Sequence, residues 1–449
     1  MPHQDQAHLR KNLDSIKAVL GCLLSKEVGC FPRHGNAKLK PSWLAAVAMV
    51  CWGWSAGGTL TERVGDACLV ANQALGSDST VSRQGLLKAL VSCGERLVRL
   101  ILDQLPARLA TLRGNWTRGG KVNLAVDGSK MQAPRTAANQ DAFSAASPSG
   151  IRSGGRRYQS RANASKAATV QVLMTVFWHL TTGLPVRWKV TGGTGSERKS
   201  VAELLEELPA NARLIGDAEY VGYPLWTAII ESGRSFLFRI GSNVTFLKNL
   251  GRYRLQDGCV YFWPEKAMRG GQPPLLLRLF RLHNGRRTIY LVSNELEMSE
   301  STARELYTGR WGVEVFFRSI KQSCQQTKLH CGEPHNVLAE LNWTLLGIWS
   351  AMFLGKQTLH EQGVPLQRLS PVKIIRAFTA VLRQIVASGL STPLLTDLLA
   401  ASLLSDESAR TTSKRSRHYP RKKKRKRCGA PHLKSPTKLQ RRTATKFLP

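Results

Sequence analysis

The chain reads as an α/β protein: a mixed-sheet core carrying a β-rich insertion, preceded by a helical N-terminal region and followed by C-terminal helices. Three observations predict this. Apolar residues recur every three to four positions through the first hundred or so residues and again after Ser299. Between Val122 and Asn243, apolar runs that end in an acid alternate with an amphipathic, charged segment. From Val244 to Glu295 the pattern is β, punctuated by turn signals.

Residues 1–115 form the helical N-terminal region, in which LRKNLDSIKAVLGCLL, PSWLAAVAMVCWGWS and VSRQGLLKALVSCGERLVRLILDQL are broken at Gly, Pro and Ser. Within it, DSTVSRQGLLKAL offers an N-cap and a short basic helix. That helix suits either a DNA groove, in helix-turn-helix fashion, or a plain bundle. Residues 116–243 are the first part of the core. VNLAVDGSKM is an apolar strand ending in Asp127-Gly128, and residues 133–166, polar and rich in Gly, Ser and basic side chains, read as a mobile loop. ATVQVLMTVFWHL and LPVRWKVTG, joined through Thr181-Thr182-Gly183, read as a hairpin. The helix SERKSVAELLEELP, the strand ARLIG ending at Asp217, the short helix YPLWTAIIESG and the strand SFLFRIGSN follow.

Residues 244–295 are the insertion, mostly antiparallel, with turns at Asp257-Gly258, Gly270-Gly271 and Asn284-Gly285. Residues 296–358 return to helix as the second part of the core. The apolar helix NVLAELNWTLLGIWSAMFLGKQ, after Pro334, packs beneath the helix that begins at Ser299. Residues 359–412 carry two shorter helices, near 371–387 and 393–405, and residues 413–449 are a basic tail expected to be disordered.

Charge narrows the partner. The chain of 449 residues carries 65 Lys and Arg against 30 Asp and Glu, a net +35. Fifteen of those charges lie in the tail, which holds no acid, leaving +20 on the first 412 residues. A body this basic points to a polyanion, foremost nucleic acid. Nine scattered cysteines with no C-x-x-C argue for reduced thiols in a cytoplasmic compartment. Cys324, His330, Cys331 and His335 match no common zinc spacing. The apolar stretches Trp43–Trp54 and Leu345–Leu354 fall short of the ~18 residues a membrane span needs, so no membrane partner is expected.

The most specific pattern lies in ELYTGRWGVEVFFRSIKQS, where Tyr307, Arg310, Glu314 and Lys321 follow Y-x2-R-x3-E-x6-K. On one continuous helix the last three fall at roughly −60°, −20° and −40° from Tyr307, with Arg318 at about +20°, so all share an edge. Such a face could be merely solvated. A lone carboxylate among cations and a phenol also suits an acidic, metal-carrying partner such as phosphodiester DNA. Two further acids end strands of the core, Asp127 and Asp217, and the carboxyl ends of adjacent parallel strands converge at one edge of a sheet. Asp127 could be only a turn residue and Asp217 only a helix cap. Together with Glu314 they form an oxygen-only set that selects Mg²⁺ or Mn²⁺, and a pair of such ions serves phosphoryl transfer. Glu219 competes as a ligand, while Asp141 lies in the expected loop.

Asp127, Asp217 and Glu314, with Tyr307, Arg310 and Lys321 around the glutamate, resemble the catalytic pattern of cut-and-paste DDE transposases of the insertion-sequence-4 family, over about residues 118–358. The resemblance implies a ribonuclease-H-like core with its insertion between the second Asp and the Glu. It implies two Mg²⁺ ions, for which Mn²⁺ can substitute, on the three acids, and a grip on DNA phosphates by Tyr307, Arg310 and Lys321. Transposon ends and target DNA are the implied partners, with a homodimer in the synaptic complex and a hairpin intermediate during excision. A bacterial, nucleoid-associated location follows from the same resemblance. Trp263, in VYFWPEK, is the candidate for stacking on a flipped base, or else a packed residue of the insertion. The tail run SKRSRHYPRKKKRKRCG suits sequence-independent DNA contact. Two other readings stay open: a non-catalytic DNA-binding descendant, and a metal-dependent nuclease without strand transfer.

Overall fold

The computed structural model describes residues 3–24, 28, 39–55, 58–112, 114–143, 170–284, 287–323, 328–387, 393–403 and 429–448. The helices, in chain order, are α1 (His3–Leu23), α2 (Pro41–Met49), α3 (Leu60–Leu75), α4 (Arg83–Leu102), α5 (Leu105–Ala110), α6 (Ala137–Phe143), α7 (Glu197–Leu204), α8 (Tyr223–Glu231), α9 (Glu265–Arg269), α10 (Glu300–Gly309), α11 (Trp311–Ser323), α12 (Pro334–Glu361), α13 (Pro371–Ala387), α14 (Leu395–Ala400) and α15 (Lys438–Ala444). The strands are β1 (Val122–Gln132), β2 (Gln171–His179), β3 (Leu184–Gly192), β4 (Ala212–Gly216), β5 (Ser235–Ile240), β6 (Thr245–Leu247), β7 (Cys259–Phe262), β8 (Leu275–Asn284), β9 (Arg287–Ser293) and β10 (His432–Lys434).

All ten strands belong to one mixed sheet, in the order β10-β6-β7-β8-β9-β5-β4-β1-β2-β3. β1, β4 and β5 run parallel, while β2 and β3 continue antiparallel from β1. The insertion is antiparallel from β6 to β9 and joins the core sheet edge to edge through β5 and β9. It is therefore an extension of the core sheet. Side chains alternate across the central strands: Ile215 and Leu237 pack with Leu306 of α10, while Leu214, Phe236 and Phe238 enter the main core.

The helices form where their ends are chemically marked. Thr59 and Glu62 make a reciprocal capping box at the start of α3, which ends at Gly76 with φ of 62°. Ser82, Ser196 and Ser299 cap α4, α7 and α10 through their side-chain oxygens. Pro334 opens α12, where a missing N–H costs nothing. By length and composition α12 is apolar enough to cross a membrane, but 78% of its apolar window is buried inside the protein. It is the axis of the helical layer, touching α1, α2, α4 and α13. α4 presents Leu86, Leu90, Leu97 and Ile101 inward, as a bundle helix does.

Four differences from the sequence reading matter. β1 does not stop at Asp127. It runs on to Gln132 because β2 pairs with it from Leu124 to Gln132, whereas β4 pairs only from Val122 to Ala125. Asp127 thus sits in mid-strand, just beyond the reach of β4. Residues 137–143, expected as loop, form α6, and residues 144–166 of that expected loop lie outside the described residues. The expected continuous helix after Ser299 is broken at Arg310 into α10 and α11. Finally, residues 429–448 of the expected disordered tail are ordered. β10 pairs with β6, and Ala444 is buried. The basic run up to Cys428 lies outside the described residues.

Candidate active site

The parallel strands deliver two acids to one edge. Asp127 is one-fifth exposed on β1, its Oδ1 accepting the Gly128 N–H at 2.9 Å. Asp217 directly follows β4 and accepts the Glu219 N–H at 2.8 Å, so it caps a short 3₁₀ turn over Ala218–Tyr220. The capping alternative and the edge placement are both realised, since one carboxylate oxygen serves the cap. Glu219 is exposed within that turn, and Asp141 is exposed on α6.

The helix break brings in the third acid. Gly312 has no room for a side chain: a Cβ there would stand 2.0 Å from Trp178 of β2. That close approach seats the start of α11 on the sheet, and α11 packs on β1. Glu314, one turn along, then meets Arg310, whose Nη2 donates to Glu314 Oε1 at 2.7 Å. Arg310 Nη1 lies 3.6 Å from Asp127 Oδ2, so one guanidinium lies between the carboxylates of β1 and α11. Tyr307 sits under that guanidinium, ring centre 5.5 Å from its carbon. Arg310 is 8% exposed and its Nε has no hydrogen-bond partner.

Too many negative charges share this edge. Burial pushes the Asp127 carboxyl up to about 7; Arg310 and the Gly128 N–H work against it, while Asp217 and Glu197 add to it. Burial also raises Glu197, with the Tyr220 hydrogen bond opposing and Asp217 and Glu219 reinforcing the rise. For Arg310, burial disfavours the charge but Tyr307, Glu314 and Asp127 outweigh it, so its pKa lies above the ordinary value. Burial raises the Tyr307 phenol against the pull of Arg310 and Arg239, and burial lowers Lys321.

Lys321 is half-buried near the end of α11, and Arg318 is exposed one turn after Glu314. Because the helix is broken, Tyr307 belongs to α10, and Arg310 links it to Glu314 of α11. Trp263 takes the packed alternative. It is 4% exposed, donates its indole N–H to Gln272 O at 2.8 Å and meets Phe447 edge-on at 6.2 Å. So packed, the ring offers little surface to a stacking base. Among the described residues the Cys and His cluster forms no metal site: Cys331 is buried and His330 Nδ1 is 2.8 Å from Glu340 Oε1, while Cys324 lies outside the described residues.

Among the described residues, no three His, Cys, Asp or Glu side chains are spaced to enclose a metal ion. Arg310 lies between Asp127 and Glu314. In kind, the donors fit a hard divalent cation: all are carboxylate oxygens, and their mutual repulsion favours a cation among them. Sequence reading missed Glu197, which joins Asp127 and Asp217 from α7. The signal for it was two glycines, Gly128 and Gly216, each beside an acid on a strand, where a glycine marks close approach of another group.

No curated protein matches the chain. Among solved structures it is similar to a piggyBac transposase synaptic complex with hairpin DNA, at 14% identity and a TM-score of 0.38 over 90% of this chain and 86% of that one, too distant to inform the site. The model of the transposase DDE domain matches residues 118–349, which span β1 to the middle of α12 and contain all three sequence-predicted acids. That match covers more than half of the chain, and the protein belongs to the DDE transposase family.

Proposed function

We propose that this protein cuts and joins DNA as a cut-and-paste transposase of the insertion-sequence-4 type, acting on transposon ends and target DNA. The observation that carries the reading is the meeting of Asp127 and Glu314 across one guanidinium, at the strand edge that also bears Asp217. A ribonuclease-H-like core is supported by the order β3-β2-β1-β4-β5, with the first three antiparallel and β4 and β5 parallel to β1.

Asp127, Asp217 and Glu314 would hold two Mg²⁺ ions, or Mn²⁺ in their place. Bound there, such a pair neutralises charge on the attacking and leaving oxygens of an in-line displacement. The chain's own residues prepare the rest. Arg310, held by both flanking acids and cushioned on Tyr307, keeps a fixed positive charge at the edge where a phosphate arrives, and Lys321 and Arg318 extend that charge along α11. Asp127 must lose its proton before it binds a cation, so cation binding strengthens as pH rises through about 7. A homodimer holding two ends, and a hairpin at the excised end, complete the proposal.

The test uses duplexes carrying the flanking genomic ends, with Mg²⁺. Cleaved, hairpin and strand-transfer products are expected from the native protein. Cleavage without any joining under the same conditions leaves a nuclease in place of a transposase.

A further inference from the structure

Glu197 opens α7 directly after its cap, Ser196, and its carboxylate lies flat against β1 at Gly128. A Cβ on Gly128 would stand 2.1 to 2.5 Å from the carboxylate carbon and both oxygens of Glu197. On its other side, Tyr220 Oη donates to Glu197 Oε2 at 2.6 Å. Tyr220 is fully buried and anchored: its ring stacks on Phe238 of β5 at 5.8 Å, and its carbonyl accepts the Trp226 indole N–H at 2.9 Å. That ring passes over β4 at Gly216, where a Cβ would stand 2.6 Å from Tyr220 Cδ2.

The pair therefore bridges the two strands that carry Asp127 and Asp217, and each strand is glycine where the pair crosses it. Gly128 follows Asp127, and Gly216 precedes Asp217. Any larger residue at either position would drive the bridge off its strand. We propose that Glu197, held by Tyr220, is a positioning residue that sets the separation of Asp127 and Asp217 for cation binding. This rests on the metal-dependent reading of the site. Glu197 acts as a hydrogen-bond acceptor of the right length, so its charge is dispensable: a glutamine offers the same oxygen to Tyr220 and relieves the crowding of acids.

The test is Mn²⁺ binding to the full chain on an end duplex, followed by the electron paramagnetic resonance of free Mn²⁺, with thermal melting as a check on folding. Glu197→Ala and Tyr220→Phe are expected to weaken Mn²⁺ binding by about 10-fold or more, as loss of a partner behind a ligand does, while Glu197→Gln stays within about 3-fold of native. Tyr220→Phe keeps the ring and deletes one hydroxyl, so it carries the test if Glu197→Ala does not fold. Native affinity in Tyr220→Phe overturns the proposal, and equal losses in Glu197→Gln and Glu197→Ala overturn it in favour of Glu197 as a direct ligand. Asp127→Asn separates the two levels. If it binds Mn²⁺ as the native protein does, the metal reading fails and the positioning role with it. If it binds weakly while the Glu197 and Tyr220 variants do not, only the positioning role fails.

Discussion

At the amino ends of β1 and β4, Arg213 donates to Asn123 Oδ1 at 2.9 Å and to Glu295 Oε1 at 2.8 Å, a closed network of one acid and one base. At the carboxyl ends of the same two strands, Asp127, Asp217 and Glu197 crowd together, and Asp127 shares a single guanidinium with Glu314. Titration follows the difference. Burial raises Glu295, but its hydrogen bonds from Arg213 and Ser235 outweigh burial and hold it below the usual carboxylate range. Burial of Asp127 is not outweighed, and its pKa reaches about 7. The acid at the first end is matched by its base, while at the second the acids outnumber the one guanidinium between Asp127 and Glu314.

The largest effect that separates the two ends is on chemistry. Asp127→Asn or Glu314→Gln is expected to cut Mg²⁺-dependent cleavage by at least ~10³-fold with end binding nearly intact, as removal of a group acting only on the transition state does. Gel-shift and cleavage assays on one duplex read both quantities. The next effect is on stability. Glu295→Gln leaves Arg213, 7% exposed, without its charge partner and is expected to cost about 3 kcal/mol in denaturant unfolding.

A third effect depends on pH. The folded-state pKa of Asp127 is raised, so the neutral carboxyl favours folding at low pH and that contribution is lost as pH rises through about 7. Asp127→Asn is therefore expected to be more stable than native at pH 8 by on the order of 2 kcal/mol, and no more stable at pH 4. Melting curves at the two pH values check the sign, and a gain of equal size at both would mean that ionisation has no part in it. The smallest effect belongs to exposed Arg318. Its change to Ala is expected to lower the salt slope of DNA binding by about 1 and leave cleavage of bound ends unchanged.

Much of this was legible in the chain because local chemistry announces itself. Caps at Ser82, Ser196 and Ser299 mark helix starts, and apolar runs ending in Asp127 and Asp217 mark strands of the core. The break at Arg310 was not legible. Beside it, Gly312 lies against Trp178, more than a hundred residues away in sequence, a contact that no local pattern announces. Glu197 was missed for the same kind of reason, since its place depends on how α7 packs back over β1. The order of the last residues was hidden by their basic composition, because β10 is held by backbone bonds to β6 that any sequence can make. For Trp263 the sequence left stacking and packing both open, because Phe447, which meets it edge-on, lies far along the chain.

The claim that the carboxyl ends of β1 and β4 are the cation site, and the amino ends are not, is tested most directly by the Mg²⁺ dependence of end cleavage in Asp127→Asn and Glu295→Gln, each assayed well below its melting temperature. The account predicts a folded but inactive Asp127→Asn, and a Glu295→Gln that melts early yet needs the same Mg²⁺ concentration as the native protein. Normal cleavage by Asp127→Asn, or a shifted Mg²⁺ requirement confined to Glu295→Gln, would contradict it.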